Sequence, residues 1–157
     1  GFGSGVVIPE YGVSLQNRGH GFSLDVESPN VVAPGKRPFH TIIPAFLTKD
    51  GAPQMSFGVM GGNFQPMGHI MVAVNRYIYG MDPQEALDFP RCFPENGEVL
   101  VESAIPAAVM AGLKDRGHRI VLSEEPLGGG QAIVIDHDRG VLIGGSDHRK
   151  DGFALGY

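Results

Sequence analysis

The chain has 157 residues, 24 of them glycine and 12 proline, with one cysteine and a formal net charge of −5 at pH 7. The negative charge, and the lack of a Lys/Arg cluster beyond Gly35–Arg37, argue against a nucleic-acid groove or a polybasic membrane patch. No apolar run approaches the roughly 20 residues that span a bilayer, and one cysteine excludes an internal disulfide framework. We therefore expect a single domain, residues 1–157.

The first third of the chain predicts short strands and a long loop. Residues Phe2–Leu15 indicate two short strands around a Pro-Glu-Tyr-Gly turn. Residues Asn17–Lys36 are polar and contain several glycines and prolines, which predicts a loop of the long kind that is usually functional or mobile.

A hairpin and a helix are predicted next. Apolar runs at 41–48 and 52–60 flank Asp50-Gly51, and Asp-Gly in that position favours a hairpin. A helix begins near Pro66 and ends at Gly80. Its apolar residues recur every three or four positions, which predicts one buried face formed by Met67, Ile70, Met71, Val74 and Ile78.

Two more helices and a second hairpin complete the pattern. Asp82 as N-cap, with Glu85 three residues later, indicates a helix over 82–89. Residues Pro106–Gly117 predict another helix, and 131–147 predict a hairpin that turns at 138–140. Strands at both ends with helices between them indicate an α+β fold.

Several residues that often carry chemistry have simpler interpretations. Cys92 has no histidine near it in sequence and is expected to be a buried, inert thiol. The acidic and histidine residues at 136–138 and 147–148 suggest a metal, but neighbours along a strand point to opposite faces. A solvated turn is the preferred interpretation, and no metal or organic cofactor is expected.

Two segments remain as candidate sites. Gly61 and Gly62 join a strand to a helix, where their N–H groups can form an anion nest or oxyanion hole, or where glycine can permit close packing. The proline-stiffened segment 33–46 carries His40 and Thr41, which suit recognition of an anion or a carbonyl. The alternative is a plain structured entry to the following strand.

Four stretches occur in a characteristic order, and together they cover most of the chain: 2–18, 34–44, 57–70 and 144–157. In this order they resemble the small, C-terminal subunit of the γ-glutamyltranspeptidase family. The resemblance implies the αββα sandwich of the N-terminal-nucleophile hydrolases.

The resemblance also implies a reaction and a partner. A precursor cuts itself, and the small subunit then begins with a threonine that serves as nucleophile and, through its amine, as base. The enzyme forms an acyl intermediate and passes the acyl group to water or an amine, with Gly61 and Gly62 as the oxyanion hole. The partners implied are a small-molecule amide and the large N-terminal subunit of the same precursor, in a heterodimer or a dimer of heterodimers. Periplasmic, secreted and cytoplasmic locations all remain open.

Three departures from the family pattern matter. The threonine is expected upstream of residue 1, so this chain alone should be inactive. Gly21 stands where the family has an acidic residue for the substrate's amino group, and Arg18 lies close by. His40 and Thr41 replace a pair of serines that hold the substrate carboxylate.

These changes predict an acyl pocket lined by Asn17, Arg18, Gly21, His40 and Thr41. Such a pocket suits a glutaryl-type or other carboxylate-bearing amide rather than an ordinary γ-glutamyl amide. Alternatively, Arg18 is a surface residue paired with Glu10 or Asp25. An alternative function is a non-catalytic binding or assembly subunit with the same fold.

Overall fold

The computed structural model describes residues 3–156, which form two compact units divided between Ile42 and Ile43. Phe2, the first residue of the predicted strand pair, lies outside the described residues. The organisation of residues 1–157 as one domain stays a prediction.

The first unit is mostly loop. Strands β1 (Val7–Ile8) and β2 (Val13–Ser14) pair in antiparallel fashion, which confirms the two short strands. The predicted loop follows, with a short 3-10 helix at Arg18–Gly21 and one parallel bridge between Ser23 and Val31.

The second unit contains the remaining elements. In chain order they are β3 (Ala45–Lys49), β4 (Ala52–Met60), α1 (Gln65–Tyr77), α2 (Pro83–Asp88), β5 (Cys92–Glu95), β6 (Glu98–Val101), α3 (Ala107–Asp115), β7 (Ile120–Leu122), β8 (Gly129–Asp136) and β9 (Val141–Ser146).

An antiparallel sheet in the order β3-β4-β8-β9 forms the centre of this unit. Both predicted hairpins are confirmed, and the first turns at Asp50 and Gly51 with φ angles of 52° and 79°. β3 begins at Ala45, later than predicted, because Pro44 has no N–H to donate to a neighbouring strand.

The predicted buried face of α1 is partly wrong. Ile70 and Ile78 are exposed, and the buried positions on this helix are Gly68, Val72 and Asn75. A Cβ on Gly68 would lie 2.6 Å from Val59 Cγ1, so the helix approaches β4 most closely at this glycine. The close approach turns the Gly68 face, rather than the isoleucines, towards the sheet.

The other helices agree with the sequence, but one sheet was missed. α2 begins with a complete capping box formed by Asp82 and Glu85, and α3 lies where it was predicted. The unforeseen sheet has the order β5-β6-β7. Its hairpin turns at Asn96-Gly97, a dipeptide that favours this turn and could have indicated the strands beforehand.

The core lies between the four-stranded sheet and the helices α1 and α2. Its buried apolar residues are Met55, Val59, Phe64, Val72, Leu87, Leu127, Ala132 and Val134. Over residues 3–156, the structure has no helix of the length and apolar character needed to cross a membrane.

Candidate active site

The turn between β4 and α1 is built from two glycines in backbone conformations that favour glycine. The φ angle is 136° at Gly61 and 58° at Gly62. A short 3-10 helix, Gly62–Phe64, continues the turn, and the N–H of Phe64 donates to the carbonyl oxygen of Gly61 at 3.0 Å. Both glycines are exposed.

The N–H groups of Gly61 and Gly62 donate to no protein acceptor in the part of the chain that the structure describes. They lie directly before α1, whose peptide dipoles leave partial positive charge at this end. Unused N–H groups in such a place favour a negatively charged oxygen. The turn can therefore stabilise an anion or the oxyanion of a tetrahedral intermediate.

The close-packing interpretation applies to one of the two glycines. A Cβ on Gly61 would lie 2.9 Å from the Cα of Gly128, whereas a Cβ on Gly62 would meet nothing within 4 Å. Gly128 itself has a φ of 74°, and a Cβ there would lie 2.4 Å from the carbonyl oxygen of Met60. The two segments thus touch backbone to backbone, and neither contact residue has room for a side chain.

Beneath this contact lies a group of four charged side chains, which we call the buried charge cluster: Arg91, Glu102, Asp147 and Arg149. Arg91 and Asp147 are each 1% exposed, and Arg91 Nη2 lies 2.6 Å from Asp147 Oδ2. Arg149 Nη2 lies 2.5 Å from Glu102 Oε2, and its Nη1 lies 3.1 Å from Asp147 Oδ1. Each carboxylate in the cluster is therefore paired with a guanidinium.

The cluster holds both carboxyl groups ionised. Burial alone would raise the pKa of Asp147, but the N–H of Arg149 and the charges of Arg91 and Arg149 outweigh it and lower the pKa. Burial likewise opposes ionisation of Glu102, and hydrogen bonds from Arg149 and from the N–H of Arg91 lower its pKa overall. Both side chains therefore act as hydrogen-bond acceptors at neutral pH.

No short-range pattern in the sequence indicates this cluster. Arg91 and Asp147 are 56 residues apart, and charged residues are usually solvated. The only hint is that Asp147 and Arg149 fall within the stretch 144–157, which carried part of the family resemblance.

In the first unit, the structure brings Arg18 and Thr41 together. Arg18 Nη1 donates to Thr41 Oγ1 at 2.7 Å, and both side chains are half-buried. Among the residues described, no carboxylate lies within ion-pair distance of Arg18, so the alternative pairing with Glu10 or Asp25 is wrong. A guanidinium beside a hydroxyl is a suitable pair of donors for a carboxylate.

The other predicted pocket residues lie on the same unit. Asn17 immediately precedes the 3-10 helix, and its side-chain amide lies against Gly3. The carbonyl oxygen of Gly21 accepts a hydrogen bond from Asn30 Nδ2 at 2.6 Å, and His40 is exposed.

Acidic and histidine residues at 136–138 and 147–148 contact other groups of the protein. Asp136 accepts from the N–H of Arg139 at 3.0 Å, as expected of a solvated turn. Asp88, Asp147 and His148 place one ligand atom each within 4.8 Å of one another. Asp147, however, is already paired with two arginines, and His148 Nδ1 lies 2.7 Å from Asp88 Oδ1.

Comparison with known proteins identifies the fold and then the family. The chain superposes on the crystal structure of cephalosporin acylase from Bacillus halodurans with a TM-score of 0.85 and 49% identity, covering 100% of this chain and 30% of that one. The fold is accordingly the α+β fold of the N-terminal-nucleophile hydrolases. Residues 1–157 match the family model of gamma-glutamyltranspeptidase, and the chain belongs to that family.

Two curated relatives are similar along the same length. The glutathione hydrolase-like YwrD proenzyme of Bacillus subtilis (strain 168) is 39% identical over 163 residues, covering 99% of this chain and 31% of that protein. The oxamate amidohydrolase proenzyme of Klebsiella pneumoniae is 37% identical over 165 residues, with the same coverage of 99% and 31%. The chain thus spans about a third of the length of these relatives.

Proposed function

We propose that this chain is the small subunit of a self-processed amidohydrolase or acyltransferase that works through an acyl-enzyme. The observation that carries the proposal is the turn at Gly61 and Gly62, which presents two unused N–H donors in front of α1. Its supporting context is the family membership and the two relatives named as proenzymes.

The proposed reaction uses a threonine at the N-terminus of the mature subunit, upstream of residue 1. Its hydroxyl attacks the amide carbonyl while its own amine takes the proton. The oxyanion that forms accepts hydrogen bonds from the N–H groups of Gly61 and Gly62. The C–N bond then breaks, the amine leaves with the proton, and water or a second amine releases the acyl group from the ester.

The acyl group in this proposal carries a carboxylate that binds Arg18 and Thr41. The support is their mutual hydrogen bond of 2.7 Å together with the absence of a protein carboxylate near Arg18 among the described residues. Oxamate, the substrate named for one relative, is itself a carboxylate joined to an amide. Asn17, Gly21 and His40 line the remainder of the pocket.

An amide series tests the acyl preference. The mature enzyme is assayed with oxamate, glutaryl-p-nitroanilide, γ-glutamyl-p-nitroanilide and uncharged butyryl-p-nitroanilide. We expect Arg18→Gln to raise KM about 10- to 100-fold for the preferred carboxylate-bearing substrate, the loss typical of a charged hydrogen bond. Arg37→Gln, an exposed arginine of the same unit, is the matched control. Preference for γ-glutamyl-p-nitroanilide, or an unchanged KM in Arg18→Gln, contradicts the proposed acyl pocket.

A large subunit is proposed to cover the outer face of the four-stranded sheet. This face is opposite α1 and α2 and exposes Phe46, Ile133 and Leu142, which are 60%, 47% and 68% accessible. Large apolar residues exposed on one sheet face favour a partner layer. The second sheet of the αββα sandwich would pack there.

Intact masses and N-terminal sequencing of the full-length gene product test the central proposal. A small polypeptide heavier than 16.7 kDa that begins with threonine, accompanied by a large one, supports a self-processed enzyme. An uncut precursor, or a small polypeptide that begins with another residue, favours the alternative of a non-catalytic binding or assembly subunit.

A further inference from the structure

Three hydrogen bonds connect the buried charge cluster to the backbone at the start of β8. Arg91 Nη1 donates to the carbonyl oxygen of Leu127 at 2.8 Å, and the N–H of Leu127 donates to Glu102 Oε1 at 3.1 Å. The N–H of Gly130 donates to Asp147 Oδ2 at 2.8 Å. This short segment is therefore fixed near both of its ends by charged side chains.

Gly128 lies between Leu127 and Gly130, and it contacts the glycine turn. A Cβ on Gly128 would lie 2.4 Å from the carbonyl oxygen of Met60, and a Cβ on Gly61 would lie 2.9 Å from Gly128 Cα. No side chain separates the two backbones, so a movement of Gly128 towards the turn would displace Gly61 as well.

Arg91 reaches the same turn from a second direction. Its guanidinium carbon lies 5.7 Å from the centroid of the Phe64 ring. The N–H of Phe64 donates to the carbonyl oxygen of Gly61. Arg91 therefore contacts both the segment around Gly128 and the residue Phe64, whose N–H closes the turn.

We propose that Arg91 is a positioning residue, which acts through Gly128 to hold the N–H groups of Gly61 and Gly62 in place for the oxyanion. The inference rests on the proposed function of the glycine turn. Arg91 is 1% exposed and so acts without touching the substrate.

The chemistry of arginine suits this role better than a role in stability alone. A buried ion pair is often no more stabilising than apolar packing of the same volume. The planar guanidinium, in contrast, fixes the direction of each partner. Arg91 directs its donors to Asp147 and to the carbonyl oxygens of Leu87 and Leu127, so three separate segments share one rigid connection.

The test compares two variants with matched controls. Arg91→Lys keeps the charge and loses the planar fork, and Arg119→Lys makes the same change in an exposed ion pair with Glu98. Gly128→Ala and Gly140→Ala both place alanine at a positive φ, but a Cβ on Gly140 meets nothing within 4 Å. The two subunits are co-expressed as separate chains, so that self-cleavage is not a variable, and kcat is measured per titrated active site.

We expect Arg91→Lys and Gly128→Ala to lower kcat about 10- to 1,000-fold with KM changed less than about threefold, since the donors act on the transition state. The controls should stay within about twofold of the wild type. If Arg91→Lys fails to assemble, the pair Gly128→Ala and Gly140→Ala decides the question.

Two other results are informative and distinct. A wild type that turns over amides, with variants whose kcat per active site equals that of their controls, overturns the positioning role and leaves the proposed function intact. A correctly assembled wild type that turns over none of the amides in the series refutes the proposed function, and the positioning role with it.

Discussion

Alanine substitutions at Gly61 and Gly62 should have very different effects, although the residues are adjacent and both are exposed. Both substitutions retain the backbone N–H and add only one methyl group. The structure predicts that Gly62→Ala is tolerated and that Gly61→Ala displaces the turn.

The magnitudes follow from conformation and space. At Gly62 the φ of 58° is the ordinary left-handed conformation, which costs alanine about 1–2 kcal/mol, and the added Cβ meets nothing within 4 Å. At Gly61 the φ of 136° is nearly restricted to glycine and costs about 1–3 kcal/mol. The Cβ would also lie 2.9 Å from Gly128 Cα, and such overpacking adds about 1–3 kcal/mol.

Unfolding and turnover of the assembled enzyme check the prediction. We expect Gly61→Ala to be the less stable variant by about 2.5 kcal/mol, the difference between the midpoints of the two ranges above, about 4 and about 1.5 kcal/mol. It should lose about 100- to 1,000-fold in kcat, the usual cost of losing one oxyanion donor, whereas Gly62→Ala should lose less than about tenfold. Equal stability and equal turnover of the two variants would refute the reasoning.

Three further outcomes concern the rest of the second unit. Pairing with the arginines lowers the pKa of Asp147. Its contribution to stability is therefore complete above the unfolded pKa, about 3.9, and is lost as the pH falls through the folded pKa. In chemical denaturation from pH 6 to pH 2, the free energy of unfolding should fall less steeply in Asp147→Asn than in the exposed control Glu124→Gln. Gly68→Ala should destabilise the assembled protein by about 1–3 kcal/mol, although alanine has the better helix propensity, because the added Cβ would lie 2.6 Å from Val59. The control Gly112→Ala, on α3, should be neutral or stabilising. Equal melting temperatures of the two variants would contradict the prediction. Burial raises the pKa of the Cys92 thiol, so iodoacetamide at pH 8, followed by peptide mass analysis, should label it at least about tenfold more slowly in the native protein than in denaturant.

Local signals in the sequence predicted local structure well. The capping box of α2 and the Asp50-Gly51 hairpin were both confirmed, because each depends on residues within a few positions of one another. The phase of α1 was predicted less well. Apolar spacing alone favoured Ile70, whereas the direction of the helix is set by Gly68, whose role appears only when β4 lies against it.

In the candidate site, too, the sequence predicted the local features but not the long-range contacts. The glycine pair was found from its place between a strand and a helix, and its positive φ angles agree with that interpretation. The contact with Gly128 and the pairing of Arg91 with Asp147 join residues 67 and 56 positions apart, and no short-range pattern encodes them. The acyl-pocket residues remain predictions that depend on the family resemblance.

The backbone contact between Gly61 and Gly128 also has a consequence for how the molecule folds. Met60 pairs with Gly129 at the end of the β4–β8 ladder, and Gly128 reaches Gly61 only once that ladder is complete. Contacts between residues so distant in sequence form slowly because a long loop must close first. The donor geometry of the turn should therefore be acquired late in folding, after the local hairpin of β3 and β4 has formed. A partly folded chain would contain much of its secondary structure and yet lack the proposed oxyanion site.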